Sequence, residues 1–219
     1  MLKKAVAILL TSCVGAAGYA SNLVSNGSFE LGAFVNNNGY GDTGVQTFGD
    51  GNGLSDWTLA GGMNVARLVN GNSYHLTASD GTMFLDLTGY SNTMPTETLS
   101  QQLATVSGQT YDVSFDVGVD NAIGVFERPV TMLMSLGTFS GNYTNNLGGP
   151  GNQWQHFDVQ VTASQANAVL AFQGTVGVDY IGLDNISVTP SSTPEPITLS
   201  LMAVGLGFAA RRRLQERAK

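Results

Sequence analysis

The sequence predicts an all-β protein in which two antiparallel sheets pack face to face as a sandwich over residues 21–190. Three observations predict this fold class: the segment is rich in Gly, Asn, Thr and Ser, it alternates apolar and polar residues in short runs, and turn-forming residues separate those runs. Helical periodicity is almost absent. From Tyr111 to Val117 the apolar side chains alternate with Asp112, Ser114 and Asp116, which is typical of a strand with one face on a core and one in water.

Other segments of the same region share this pattern. The stretch from Gly32 to Gly53 shows no strand pattern, is rich in Asn and Gly, and is predicted to form a long loop. The clearest predicted strands are residues 81–88, 109–117, 129–136, 155–162 and 168–173.

The first twenty residues predict a signal peptide. Two lysines precede an apolar run at 5–17, and small residues lead to Ala20, so the mature chain would begin at Ser21. The only cysteine, Cys13, lies within this segment, and the mature protein would then have neither a thiol nor a disulfide. An alternative remains, because residues 10–13 resemble a lipoprotein processing box in which Cys13 would become a lipidated N-terminus.

Charge is unevenly distributed along the chain. Seven of the nine Lys and Arg residues lie in the terminal segments, which leaves Arg67 and Arg128 against fourteen acidic residues between Ser21 and Pro190 and a formal charge of −12 there. Such a surface repels phosphate backbones, which argues against nucleic acid as a partner. It favours divalent cations and neutral ligands instead.

The C-terminal residues predict a membrane-anchored tail. A Ser/Thr linker at 191–193 precedes a Pro-Glu-Pro string, an apolar run at 197–210 and three arginines. As a helix the run would span about 21 Å, short of a ~30 Å hydrocarbon core, and the arginines would hold the extreme C-terminus in the cytoplasm. The alternative is an amphipathic helix of the folded domain. The residues of this predicted signal are Pro194, Glu195, Pro196, Arg211, Arg212 and Arg213.

These three parts together resemble the PEP-CTERM sorting signal of Gram-negative bacteria, over residues 194–219. The resemblance implies export through signal peptidase, transient anchoring in the inner membrane, and recognition and cleavage of the tail by an exosortase. The protein would then reach the cell surface or an exopolysaccharide-rich biofilm matrix. Since that family shares only the sorting signal, the tail does not identify what the rest of the chain does.

Several strings between the two targeting segments resemble the jelly-roll domains of the galactose-binding-like group, which includes many carbohydrate-binding modules. Individually modest, they occur in the order expected for that group and cover most of residues 21–190. Asn-Leu-Val-Ser-Asn-Gly-Ser-Phe-Glu at 22–30 resembles the opening strand, Asp-Trp-Thr at 56–58 the next strand, and residues 81–87 a buried central strand. Leu-Ser-Gln-Gln-Leu at 99–103 with the strand after Gly108 resembles the middle pair, and Gly-Leu-Asp-Asn-Ile-Ser-Val at 182–188 the closing strand.

The resemblance also implies a structural calcium ion between the first and last strands. The matching carboxylates are Glu30 and Asp184, and Asp50 in the long loop could add a third. Calcium takes six to eight oxygen ligands, so backbone carbonyls would have to complete the site. The alternative is that Glu30 and Asp184 are solvated acids at strand ends.

Polysaccharide binding would require an exposed aromatic ring for the apolar face of a sugar, beside polar groups for its hydroxyls. Trp57 and Trp154 begin apparent strands, which favours core packing for both. Arg128 is a candidate ligand contact, with an internal ion pair as the alternative. The loop candidates are Tyr40, Tyr74, His75, Tyr90 and Tyr143.

Catalysis has little support in the sequence. Residues 21–190 contain two histidines, no cysteine and no recognised nucleophile, metalloprotease or phosphate-loop string. We therefore predict a non-catalytic exported protein that binds polysaccharide. The alternatives are a structural or adhesive biofilm protein without a sugar site, and a glycoside-active enzyme whose acid pair is invisible in the sequence.

Overall fold

The computed structural model describes residues 21–49, 53–61, 64–91, 93–120, 127–149, 151–178 and 180–191. The predicted signal peptide with Cys13, the loop residue Asp50 and the sorting tail with its predicted span at 197–210 lie outside these residues. Within the described ranges, no helix is long and apolar enough to cross a membrane.

Eleven strands form two antiparallel sheets across the described residues. The strands are β1 (Val45–Phe48), β2 (Thr58–Ala60), β3 (Val65–Val69), β4 (Met83–Asp86), β5 (Thr98–Gln102), β6 (Thr110–Asp120), β7 (Glu127–Leu136), β8 (Phe139–Asn145), β9 (Asn152–Thr162), β10 (Val169–Val178) and β11 (Gly182–Pro190).

One sheet has six strands in the order β1-β3-β4-β11-β6-β9, and the other has five in the order β2-β5-β10-β7-β8. Every strand pairing is antiparallel, and the closing strand β11 lies in the middle of the six-stranded sheet, between β4 and β6. This architecture confirms the predicted all-β sandwich.

The main core fills the space between the two sheets. On β6 the residues Tyr111, Val113, Phe115 and Val117 are buried, as their alternation predicts, and Phe115 contacts Phe172 of β10 with ring centroids 5.1 Å apart. Full burial of such a side chain stabilises the fold by about 1.5–3 kcal/mol.

Of the two tryptophans, Trp57 lies in the main core, 5.8 Å from the Phe29 ring. Trp154 instead packs outside that core, on the outer face of the six-stranded sheet against Phe84. Trp57 therefore packs in the main core as predicted, whereas Trp154 is only partly buried against a second apolar cluster.

The predicted opening strand at residues 22–30 is not a strand in the structure. Asn26 and Phe29 have positive φ angles of 55° and 59°, which break the extended backbone that a strand requires. The segment nevertheless lies beside the closing strand, since Leu23 N–H donates to Val188 O and Ile186 N–H donates to Gly27 O. A Cβ at Gly27 would lie 2.0 Å from the carbonyl oxygen of Ile186, so only glycine permits this approach.

The region predicted as one long loop contains β1, and a buried arginine holds the chain that precedes it. Arg67 of β3 is 1% exposed, and its guanidinium donates to the carbonyl oxygens of Leu31 at 2.8 Å and Ala33 at 2.9 Å and to the side-chain oxygen of Gln46 at 2.6 Å. Longer hydrogen bonds reach two further carbonyls of the same segment. Burial lowers the pKa of Arg67, and the negative charge of Glu30 opposes that shift.

Candidate functional site

A second apolar cluster covers part of the outer face of the six-stranded sheet. It carries the loops that contain three of the sequence-predicted tyrosines, of which Tyr74 and Tyr90 pack against it. The cluster thus supports the loops of Tyr74 and Tyr90 by apolar packing. The buried members of the cluster are Val45, Ala66, Leu68, Leu76, Phe84 and Tyr180.

Tyr40, Tyr74 and Tyr90, together with Asp42, form what we call the tyrosine cluster. The rings of Tyr40 and Tyr90 lie 4.3 Å apart between centroids with an interplanar angle of 35°, and Tyr40 is 72% exposed. The hydroxyls of Tyr74 and Tyr90 donate to the same carboxylate oxygen of Asp42, at 2.8 Å and 2.7 Å. The structure thus brings together three side chains that are far apart in sequence.

Two buried asparagines give the loops of the cluster their shape. Asn38 donates to the carbonyls of Asp42 and Val45 and accepts from the N–H groups of Tyr40 and Asp42. Asn side chains satisfy local backbone groups in this way in turns. Sequence reasoning missed this residue, although its place in an Asn/Gly-rich loop was a signal.

Asn72 plays the matching part in the second loop. Its side chain donates to Val69 O and Leu76 O and accepts from the N–H groups of Tyr74 and Leu76. Both asparagines are buried, so their polar groups are satisfied internally and the positions of Tyr40 and Tyr74 are fixed.

The phenols of Tyr74 and Tyr90 stay protonated at neutral pH. Burial and the hydrogen bond to Asp42 raise the pKa of Tyr74 and, further, that of Tyr90. Both phenols donate to Asp42 and fix the position of its carboxylate, while the ring of Tyr40 remains open to solvent. A flat aromatic surface beside an acidic acceptor suits a neutral polyhydroxylated ligand.

The remaining predicted contacts do not join this cluster by any hydrogen bond or ring contact among the described side chains. His75 follows Tyr74 in the same turn, is exposed and has a positive φ of 58°. Tyr143 packs inward on Phe115, at 5.0 Å between ring centroids. Arg128 lies in β7, and its side chain lies outside the described part of the structure.

The two carboxylates predicted to bind calcium sit on either side of one loop. Glu30 accepts hydrogen bonds from the backbone N–H groups of Thr82 and Met83, both at 2.6 Å. Asp184 accepts from the N–H groups of Ser79 and Asp80, both at 2.9 Å. The two acids therefore tether the 79–83 segment, which leads into β4, to the rest of the sheet.

Both carboxylates already accept hydrogen bonds, Glu30 from Thr82 and Met83 and Asp184 from Ser79 and Asp80. Calcium takes six to eight oxygen ligands, so backbone carbonyls would have to complete a site at these acids. Within the described residues, no group of three or more His, Cys, Asp or Glu side chains is arranged to hold a metal ion. Asp50 lies outside the described residues, and the calcium site stays a prediction.

Asp184 belongs to a network with Asp116 and His156. Burial raises the pKa of Asp184 to about 7, against the opposing effect of its hydrogen-bond donors. His156 Nδ1 lies 2.5 Å from Asp116 Oδ1, and this contact raises the pKa of the imidazole. The Ser79 hydroxyl lies 2.8 Å from Asp116 and 3.1 Å from Asp184, so it contacts carboxylates rather than the histidine that would activate it as a nucleophile.

The outer face of the five-stranded sheet is a second polar surface, which sequence reasoning did not single out. On β7 the outward positions alternate with the buried Met132 and Met134. The hydroxyls of Thr131 on β7 and Thr144 on β8 lie 2.9 Å apart across the two strands. On β10, Gln173 donates to the hydroxyl of Thr98. No aromatic ring stands on the outward positions of these strands in the described residues.

Comparison with known proteins confirms the predicted sorting signal. Residues 192–213 match the PEP-CTERM protein-sorting motif, which indicates export and C-terminal sorting to the cell surface. Among curated proteins, none matches this sequence.

Solved structures similar to this chain include β-sandwich domains that bind carbohydrate. The CBM22-1 xylan-binding domain of Paenibacillus barcinonensis Xyn10C is 18% identical, with a TM-score of 0.46 over 82% of this chain and 100% of that one. TmCBM61 in complex with β-1,4-galactotriose is 12% identical, with a TM-score of 0.44 over 78% and 100%. The K1 cleaved adhesin domain of Lys-gingipain from Porphyromonas gingivalis W83 is 12% identical, with a TM-score of 0.47 over 68% and 99%.

Proposed function

We propose that this exported, C-terminally sorted β-sandwich protein binds neutral extracellular polysaccharide, without catalysis, at the tyrosine cluster. The observation that carries the proposal is the contact of the exposed Tyr40 ring with Tyr90, whose hydroxyl shares the Asp42 carboxylate with that of Tyr74. An aromatic ring that packs on a second ring presents an apolar surface to a sugar face at little cost in side-chain entropy.

The net charge of residues 21–190 determines which kind of polysaccharide is expected to bind. A formal charge of −12 between Ser21 and Pro190 repels uronate-rich or sulfated chains, whereas neutral chains pay no such penalty. Asp42, which the phenols of Tyr74 and Tyr90 hold in place, supplies an acceptor for sugar hydroxyls beside the ring. The expected ligand class is therefore a neutral glycan.

The experiment is a retention assay of the full chain, solubilised in mild detergent, on xylan, cellulose and galactan, with alginate as the acidic comparison. Tyr40→Ala should weaken binding by about 1 kcal/mol, roughly fivefold, because it removes the stacking ring. Tyr40→Phe keeps the ring and should bind as the wild type does. Val106→Ala, which truncates another exposed apolar side chain, is the matched control.

Each outcome is decisive for a different part of the proposal. If the wild type binds but Tyr40→Ala binds equally well, the tyrosine cluster is not the site, and the polar face of the five-stranded sheet is the next surface to substitute. If the wild type binds none of the four polysaccharides, a purely structural or adhesive role replaces the proposal. New reducing ends released from any of them would identify an enzyme.

Structural calcium is a separate proposal, and polysaccharide binding does not depend on it. Calcium added to the chelator-treated full chain should raise its melting temperature if Glu30 and Asp184 bind the ion, because ligand binding to the native state stabilises it. Glu30→Gln should abolish that rise. No rise in the wild type would leave both residues as the tethers of the 79–83 segment.

A further inference from the structure

The six-stranded sheet ends in an unusually long edge strand. The strand β9 spans eleven residues and pairs only with β6 among the described strands, whereas the other edge strands, β1, β2 and β8, have four, three and seven residues. Natural proteins commonly keep edge strands short or irregular, because a row of unpaired N–H and C=O groups can pair with another chain. The β9 edge is about 37 Å long and pairs regularly with β6 along its inner side, so its outer side is a candidate for pairing with a strand of another chain.

The sequence of β9 is self-complementary about its own midpoint. Two antiparallel copies that overlap over all eleven residues place Phe157 opposite Phe157 of the second copy. The same register places His156 opposite Asp158 of the second copy, and it does so twice because of the two-fold symmetry. A shift by two residues along the strand brings His156 opposite itself or Asp158 opposite itself, so charge and full overlap favour the same register.

The side chains of this pair are available for such contacts. His156 and Asp158 project from the outer face of the sheet, with side chains 49% and 78% exposed. Within one chain the imidazole already lies beside Asp116 of β6 and 3.3 Å from Asp158, and these carboxylates favour its protonated form by raising its pKa. In the paired sheet each imidazole would lie between carboxylates on both neighbouring strands.

Apolar surface at the edge points to the same occupant. On the inner face, Phe157 and Val159 pack against the main core but remain only half-buried, since no strand lies beyond them in the described structure. Phe157 contacts Tyr143 of β8 with ring centroids 5.3 Å apart. A second copy would cover these residues from the open side.

We propose that β9 pairs antiparallel with β9 of a second copy of this chain, centred on Phe157, and that the two six-stranded sheets become one continuous twelve-stranded sheet. The interface leaves the tyrosine cluster free, since the cluster lies on loops before β1 and after β3 and β4. The dimer would therefore present two tyrosine clusters on one rigid sheet.

The test measures the association of the full chain in mild detergent by sedimentation equilibrium. Asp158→Lys places like charges opposite each other at two positions, and we expect it to raise the dimer dissociation constant roughly tenfold or more. Asp112→Lys makes the same change of charge on β6, one strand in from the edge, and should leave the dissociation constant near that of the wild type. His156→Asp should also weaken the homodimer.

A mixture of the two edge variants gives the sharpest result. In a heterodimer of Asp158→Lys and His156→Asp, both cross-strand contacts are complementary again, so the mixture should form a one-to-one complex although each variant alone is largely monomeric. Circular dichroism verifies that each variant is folded; if His156→Asp is not, His156→Gln takes its place in the homodimer assay. A monomeric wild type, or equal association of the Asp158→Lys and Asp112→Lys variants, would overturn the proposal.

Discussion

Replacing Arg67 with methionine should destabilise the protein more than any single surface substitution. The side chain is 1% exposed and anchors the segment that precedes β1, through three short hydrogen bonds and two longer ones. Methionine keeps most of the aliphatic packing but donates no hydrogen bond. The carbonyl oxygens and the Gln46 side chain then lose a charged donor.

The size of the effect follows from the three short bonds. Hydrogen bonds to a charged group contribute about 1.5–3 kcal/mol each, and the low end applies here because residues 31–33 are exposed and water can replace part of the interaction. The loss in the free energy of unfolding is then roughly 4 kcal/mol. For a domain of this size the melting temperature should fall by roughly 8–15 °C.

Urea unfolding of the full chain, followed by the fluorescence of Trp57 and Trp154, measures this loss. Arg67→Lys is the matched variant: it keeps a positive charge but has no planar fork to reach carbonyls on two sides, so it should lose most of the same free energy. A loss below about 1 kcal/mol in Arg67→Met would refute the reasoning, because the segment would then be held by packing alone.

Three further substitutions test other parts of the structure. The native pKa of Asp184, about 7 against 3.8 in the unfolded chain, means that the native state binds more protons between these values. The free energy of unfolding of the protein should therefore fall by at most about 4 kcal/mol as pH rises across that range. Asp184→Asn should make the free energy of unfolding, measured by urea titration, less dependent on pH. The raised pKa of His156 acts in the same direction at higher pH: the stabilisation by protonated His156 is full below pH 6.5 and is lost as pH rises through the native pKa. The melting temperature of His156→Gln should therefore fall less than that of the wild type over this pH range. Gly118→Ala would bring a Cβ to 2.6 Å from the Tyr180 hydroxyl and 2.8 Å from the Trp154 ring, and thermal unfolding should show a loss of about 1–3 kcal/mol, with a change below 0.5 kcal/mol as the contradicting result.

Local pattern predicted much of the fold. The alternation in β6 and β9 is visible in the sequence because each strand has one face on the core, and period-two alternation is the direct record of that burial. β1 was missed because only four residues of a long Asn/Gly-rich segment pair with β3. The positive φ angles at Asn26 and Phe29, which turn the predicted opening strand into an irregular segment, leave no period in the sequence.

The candidate site was predictable in its members but not in its assembly. Aromatic residues in loops identified Tyr40, Tyr74 and Tyr90 one by one. Their convergence depends on Asn38 and Asn72, whose side chains fold two loops separated in sequence, and on a small apolar cluster outside the main core. The two asparagines act within their own loops, whereas the contacts of Tyr74 and Tyr90 with Asp42 join the loops and carry no local signal.

Arg67 and Arg128, the two cationic residues of 21–190, also determine how susceptible this region is to trypsin-like proteases outside the cell. Trypsin-like enzymes cut after lysine or arginine, and residues 21–190 contain no lysine. Arg67 is buried within β3, and Arg128 is followed by Pro129, a peptide bond that these enzymes cut poorly. The other susceptible bonds lie in the two terminal segments, after Lys3 and Lys4 and after the arginines of the tail. We therefore expect trypsin to cut the folded chain in its terminal segments and to leave residues 21–190 intact.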